Sequence, residues 1–193
     1  MKRVGLLGGT FDPPHLGHLV VAVETLEQAG LDEVRLVVAN DPWQKADRAV
    51  TPAADRLRLV ELAVAELDGV VASDVEIRRG GATYTIDTLE HSAAEEPGVE
   101  WSVIVGADAA AGLETWHRAE ELRDLASFVV VNRGDDDRDV PPGWRSTRVE
   151  IPGIDVSSTL LRERLATGRS VRLLTPDAVI TEIERRGLYL RIS

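Results

Sequence analysis

The chain has 193 residues, 44% hydrophobic and 28% charged, a balance that suits one compact globular domain, residues 1–193, with a sizeable core. Its 33 acidic residues outnumber 22 basic ones for a formal charge of -11, which repels a polyanion over most of the surface and argues against a nucleic-acid partner. No cysteine occurs, so a disulfide framework and a thiolate metal site are both excluded. Lys2 and Arg3 precede an apolar run too short for a signal sequence, and no run approaches a membrane span, so a cytoplasmic protein without a membrane partner is expected.

Taken in chain order, "RVGLLG" (3–8), "VRLVVA" (34–39), "WSVIVGA" (101–107) and "SFVVVNR" (127–133) read as buried strands, being short apolar runs rich in β-branched residues. Helical patterns lie between them at 16–29, 54–67, 86–95 and 118–125, the first closed by Gly30 and the second by Gly69. Weaker strand patterns fall at 73–77 and 145–151, and two further helices are predicted at 157–167 and 176–186. Strand and helix alternate, so the predicted fold class is α/β, a Rossmann-like doubly wound parallel sheet with C-terminal helices.

The first strand runs into "GGTFDPPHLGH" (8–18). Ligands of an open parallel sheet collect at the carboxyl ends of its strands, so a nucleotide is expected here, with Gly8 and Gly9 letting backbone amides come close. His15 and His18 fall three apart in the first turn of the next helix, where free N–H groups and the helix dipole favour an anion. Asp12-Pro13-Pro14 reads as a rigid turn, with Asp12 able to cap that helix. A glycine pair is also an ordinary turn, and two histidines at this spacing also suit a metal. Against a metal, His91 and His117 show no partnering pattern. Near the other end, "VSSTLLR" (156–162) puts Ser157, Ser158 and Thr159 before a helix and Arg162 one turn later, a set of hydroxyls, amides and a guanidinium suited to phosphate. Standing alone, it would equally be an N-cap with a surface arginine.

The H-x-G-H spacing together with V-S-S-T-L-L-R resembles the two signatures of the H-x-G-H nucleotidyltransferase superfamily, which joins a nucleoside phosphate to ATP and releases pyrophosphate. Over nearly its whole length the chain is similar to the bacterial nicotinate-nucleotide adenylyltransferases. Three further stretches carry that likeness: "GGATYTIDTL" (80–89), "GADAAAGLETW" (106–116) and "VVVNRGD" (129–135). Pantetheine-phosphate adenylyltransferases share the outer signatures but are not expected to have this middle set.

The resemblance implies that Thr10, His15 and His18 hold the ATP phosphates, with His18 on the α-phosphate, beside the glycines and Phe11. By the same likeness Ser157, Ser158 and Arg162 hold the β and γ groups, Gly106 and Asp108 contact the ribose, and Thr159 and Arg133 belong to the ATP site. Thr83, Tyr84, Thr85 and Ile86 would form the nicotinate-nucleotide site, with Trp116 stacked on the ring, as suits a flat pyridinium; core filling is the alternative for Trp116. One departure is "NDPWQK" (40–45), where the family has N-x-P-P-H-K: Trp43 and Gln44 stand for the second proline and the histidine, while Lys45 keeps its place as a charge for the triphosphate.

The implied reaction joins ATP and nicotinate mononucleotide, by direct attack of the acceptor phosphate, through position and charge with Mg²⁺ arriving on the nucleotide and no metal site of the protein's own. Nicotinamide mononucleotide or phosphopantetheine are the alternative acceptors. Two rival readings are a non-catalytic nucleotide sensor of the same fold and a metal-dependent phosphohydrolase built on His15, His18 and Asp108; a homo-oligomer is compatible with all of them.

Overall fold

The computed structural model describes residues 1–41, 50–132, 138 and 140–190, together with the backbone but not the side chain of Arg133. Six strands form one all-parallel sheet, β1 (Arg3–Gly9), β2 (Glu33–Val38), β3 (Val70–Ser73), β4 (Glu100–Gly106), β5 (Ser127–Arg133) and β6 (Ser146–Ile151), in the order β3-β2-β1-β4-β5-β6. The chain leaves β1 in one direction through β2 to β3, then returns to the other side of β1 for β4. That reversal opens a crevice at the carboxyl ends of β1 and β4, where ligands of such sheets bind.

Alternate residues of each strand feed two cores. Val34, Leu36, Val129 and Val131 pack on the face covered by α1 (Leu16–Gln28), α2 (Ala53–Val64) and α8 (Asp177–Arg186). Val4, Leu6, Phe128 and Val130 pack on the other face, beneath α4 (Thr85–Glu95), the turn α5 (Ala107–Ala110) and α6 (Ala119–Leu125). Burial on both faces is why these strands read as unbroken apolar runs.

Three local expectations are corrected. The strand predicted at 73–77 is instead the end of β3 followed by a helix, α3 (Val75–Arg79): the strand begins directly after Gly69, and five residues are too few to separate a period of two from a helical turn. Gly69 does not close α2, which ends at Val64; at φ +75° it makes the turn into β3. Asp12 does not cap α1 either. His15 is the N-cap residue, and Asp12 accepts a hydrogen bond from the hydroxyl of Tyr189, 2.8 Å away.

The remaining elements lie close to their predicted places. Gly30 follows α1 at φ +60°, and α7 (Ser158–Ala166) starts at Ser157, whose Oγ accepts from the amide of Leu160 at 3.2 Å.

Candidate active site

The stretch after β1 is shaped by close approaches. A Cβ on Gly9 would lie 2.7 Å from Cζ of Phe11, so the buried ring sits directly on that glycine. Phe11 in turn meets His18 edge-on, with ring centroids 4.9 Å apart. The rings of His15 and His18 stack at 3.7 Å, and a Cβ on Gly17 would lie 3.1 Å from the His15 ring, which explains the small residue inside H-x-G-H. The His15 amide donates to Nδ1 of His18 at 3.1 Å. An imidazole nitrogen that accepts carries no proton, so in the neutral ring the proton sits on Nε2, leaving His18 a donor there. His15 is buried, whereas His18 is partly exposed and lines a cleft.

Four side chains from three distant parts of the chain fix the loop's carbonyls. Arg56 of α2 donates to the Thr10 carbonyl at 2.8 Å, Arg162 to that of Asp12 at 2.6 Å, Ser158 to that of Pro13 at 2.8 Å and Thr175 to that of Pro14 at 2.9 Å. The two predicted signatures therefore meet: the N-terminus of α7 lies against the histidine loop. Arg162 also donates to Thr159 at 3.0 Å, so two of its five N–H groups are engaged within the protein.

Arg56 and Tyr189 escaped the sequence reading, as did Thr175. Arg56 had a visible signal, since it shares its helical face with Leu59, Val60 and Ala63, where a cation interrupts the buried stripe. Burial lowers the pKa of its guanidinium, opposed by the nearby charge of Asp12. Burial likewise raises that of the Tyr189 phenol.

The cleft, about 290 Å³, lies at the sheet's reversal and is lined by Leu7, Gly17 and His18 on one side and by residues 104–108 on the other, with Val21 and Val131 completing it. Gly106 and Asp108 thus face the same space as His18, and Gly8 leaves its Cβ position open. Asp108 pairs with Arg138 at the exposed rim. Lys45, with Trp43 and Gln44, lies outside the described residues, as does the side chain of Arg133.

The residues expected to hold the acceptor do not line that cleft. Tyr84 is the N-cap residue of α4 without a capping side chain, so the amides of Thr85, Ile86 and Asp87 have no acceptor within the helix. The loop before it is tied by Asn40, which donates to the Gly81 carbonyl at 3.2 Å, and by Arg79, which donates to that of Ala82 at 2.8 Å. Ile86 is buried, and Thr83 and Thr85 are partly so. Trp116 is half-buried against the second core, and the Tyr84 ring lies tilted against that of His117, with centroids 4.3 Å apart. Arg118 draws this segment onto α4 through Glu90 at 2.5 Å. The acidic Glu76 lies beneath, 4% exposed, accepting from Thr88 at 2.8 Å, with its carboxyl pushed up by burial.

The cytidylyltransferase-like family profile matches residues 6–164, a span that includes both signature stretches. A chain from Acidothermus cellulolyticus named "Probable nicotinate-nucleotide adenylyltransferase" is 44% identical over 98% of this chain and 95% of its own length. One of the same name from Streptomyces coelicolor is 45% identical, covering 95% and 98%. The chain belongs to the nicotinate-nucleotide adenylyltransferase family. Membership agrees with the likeness read from the H-x-G-H and S-S-T-L-L-R stretches, which the fold brings into contact. The family's architecture extends to a distant neighbour: the Plasmodium falciparum nicotinic acid mononucleotide adenylyltransferase complexed with NaAD superposes with a TM-score of 0.80 at 19% identity, covering 98% of each chain, a likeness of fold.

Proposed function

We propose that this chain transfers the adenylyl group of ATP to nicotinate mononucleotide, giving nicotinate adenine dinucleotide and pyrophosphate. The observation that carries the reading is the junction of the histidine loop with the start of α7 beside the crevice of the sheet, in a chain of this family. The acceptor's 5'-phosphate oxygen attacks the α-phosphorus of ATP, a new P–O bond forms, the bond to the bridging oxygen of the β-phosphate breaks, and pyrophosphate leaves. His18 donates from Nε2 to the α-phosphate. The amides of α7 with Ser157, Thr159 and the remaining N–H groups of Arg162 receive the outer phosphates, and Lys45 adds charge. Such a transfer needs positioning and charge rather than a covalent intermediate.

Mg²⁺ enters as part of the nucleotide substrate. Such an ion is held mainly by phosphate oxygens and waters rather than by a dedicated protein cage. The amides at the start of α4 seat the nicotinate carboxylate, and Trp116 faces the ring. Among the described residues no helix is long and apolar enough to cross a membrane. A cytoplasmic location is part of the proposal.

The test is pyrophosphate release from ATP and Mg²⁺ with nicotinate mononucleotide, nicotinamide mononucleotide, phosphopantetheine or water as acceptor. The reading expects one pyrophosphate per dinucleotide, fastest with nicotinate mononucleotide. Release with water alone would make the protein a hydrolase, and no release with any acceptor would make it a sensor.

A further inference from the structure

We propose that Arg56, Asp12 and Tyr189 form a buried positioning network that holds the histidine loop in its ATP-binding posture, so that the C-terminal end of the chain sets nucleotide affinity and turnover. Arg56 is 1% exposed and has no carboxylate within ion-pair distance among the described residues. Its guanidinium is spread over backbone carbonyls instead: Nη1 donates to Thr10 at 2.8 Å, Nε to Thr51 at 2.7 Å, and Nη2 to Ala39 at 2.7 Å with a longer bond to Asn40 at 3.5 Å. One rigid fork thereby joins the ends of β1 and β2 to the entry of α2. A lysine, with a single ammonium on a flexible stem, cannot reproduce those three directions.

Asp12, in the same loop, is also 1% exposed, and its charge acts on Arg56. Its Oδ1 accepts from the Tyr189 hydroxyl at 2.8 Å, across 177 positions of sequence, while its carbonyl accepts from Arg162. Tyr189 adopts φ +62°, a conformation unusual for a non-glycine residue, and its ring packs on the core formed by α2 and α8. A buried cation and a buried acid, each linked to backbone or to a phenol, cost desolvation that the fold could avoid with apolar residues. The parts they join are the segment before His15 and the segments flanking it, and the His15 amide sets the proton of His18. Displacing a reacting group by about 1 Å can cost on the order of 10²-fold in rate.

The inference rests on the adenylyl-transfer reading, so its test includes an arm that needs no acceptor. Tyr189→Phe removes one hydroxyl without changing ring packing, and Arg56→Lys keeps the charge but loses the fork. For each, the melting temperature, the Kd for MgATP alone by titration calorimetry, kcat, and the KM for nicotinate mononucleotide are measured well below the melting transition. The expected result is MgATP binding weakened about fivefold and kcat lowered about tenfold at full binding stoichiometry, with the acceptor KM within twofold of the parent. A merely structural role would reduce stoichiometry or melting temperature and leave Kd and kcat per folded molecule unchanged, which overturns the proposal. An acceptor KM that rises as much as the MgATP Kd overturns it too. If Arg56→Lys does not fold, Tyr189→Phe decides. If the parent makes no dinucleotide, the MgATP arm still discriminates.

Discussion

The His15 amide donates to Nδ1 of His18 at 3.1 Å, so the backbone of one signature histidine decides where the other carries its proton. The neutral His18 ring is a donor at Nε2, and the residue lines the cleft.

His18→Ala is therefore expected to fold normally and lose about 10²-fold or more in turnover, since a donor aimed at developing phosphate charge disappears. His18→Gln, whose amide carries an N–H near the Nε2 position, recovers part of that loss. Steady-state turnover with circular dichroism as the folding control checks both; turnover of the alanine variant within threefold of the parent would remove His18 from the mechanism.

Arg162 bridges the two signatures, donating to the Asp12 carbonyl at 2.6 Å and to Thr159 at 3.0 Å. Arg162→Lys keeps the charge and loses the planar fork, so the KM for ATP is expected to rise by about tenfold while that for nicotinate mononucleotide stays near the parent value. Equal loss for both substrates would show that Arg162 is structural or serves both sites.

How much of this was readable depended on distance along the chain. The strands stood out because burial on both faces makes them unbroken apolar runs, and the histidine loop and S-S-T-L-L-R announced a phosphate site by local residue types. Their contact, Ser158 to the Pro13 carbonyl, joins residues 145 apart and leaves no periodic trace. Tyr189 on Asp12 and Thr175 on Pro14 are hidden for the same reason. α3 is hidden because in "SDVEI" the alternation of Val75 and Ile77 with polar residues fits a strand as well as one helical turn.

Glu182 of α8 accepts from Arg185 at 2.7 Å and from Arg186 at 2.5 Å, and these bonds pull its carboxyl down to about 2. Because the folded value is depressed, the contribution to stability is present above the ordinary value of 4.5 and is lost as pH falls toward 2. Glu182→Gln should melt below the parent at pH 7, with the gap closing as the pH drops through that window. Melting curves across pH check it; a gap that does not change would assign the effect to packing.

Acceptor choice turns on Tyr84 and the three amides after it. α4 begins at Thr85 with no side-chain cap, so the amides of Thr85, Ile86 and Asp87 point out of the helix end as free donors at the positive end of its dipole. Asp87, acidic and in the same turn, would oppose an anion, but Arg79 at 3.5 Å and Arg118 at 3.6 Å offset its charge. The nicotinate carboxylate fits that seat with two acceptor oxygens. The nicotinamide group is uncharged, and its NH₂ would face a donor or leave one unpaired, a mismatch that sites built for a polar group reject strongly. Nicotinate mononucleotide is therefore expected to exceed nicotinamide mononucleotide by roughly 10²-fold or more in kcat/KM. Kinetics with both acceptors at saturating ATP measure the ratio. A value near one would mean that the start of α4 does not sense the carboxylate, while leaving adenylyl transfer itself in place.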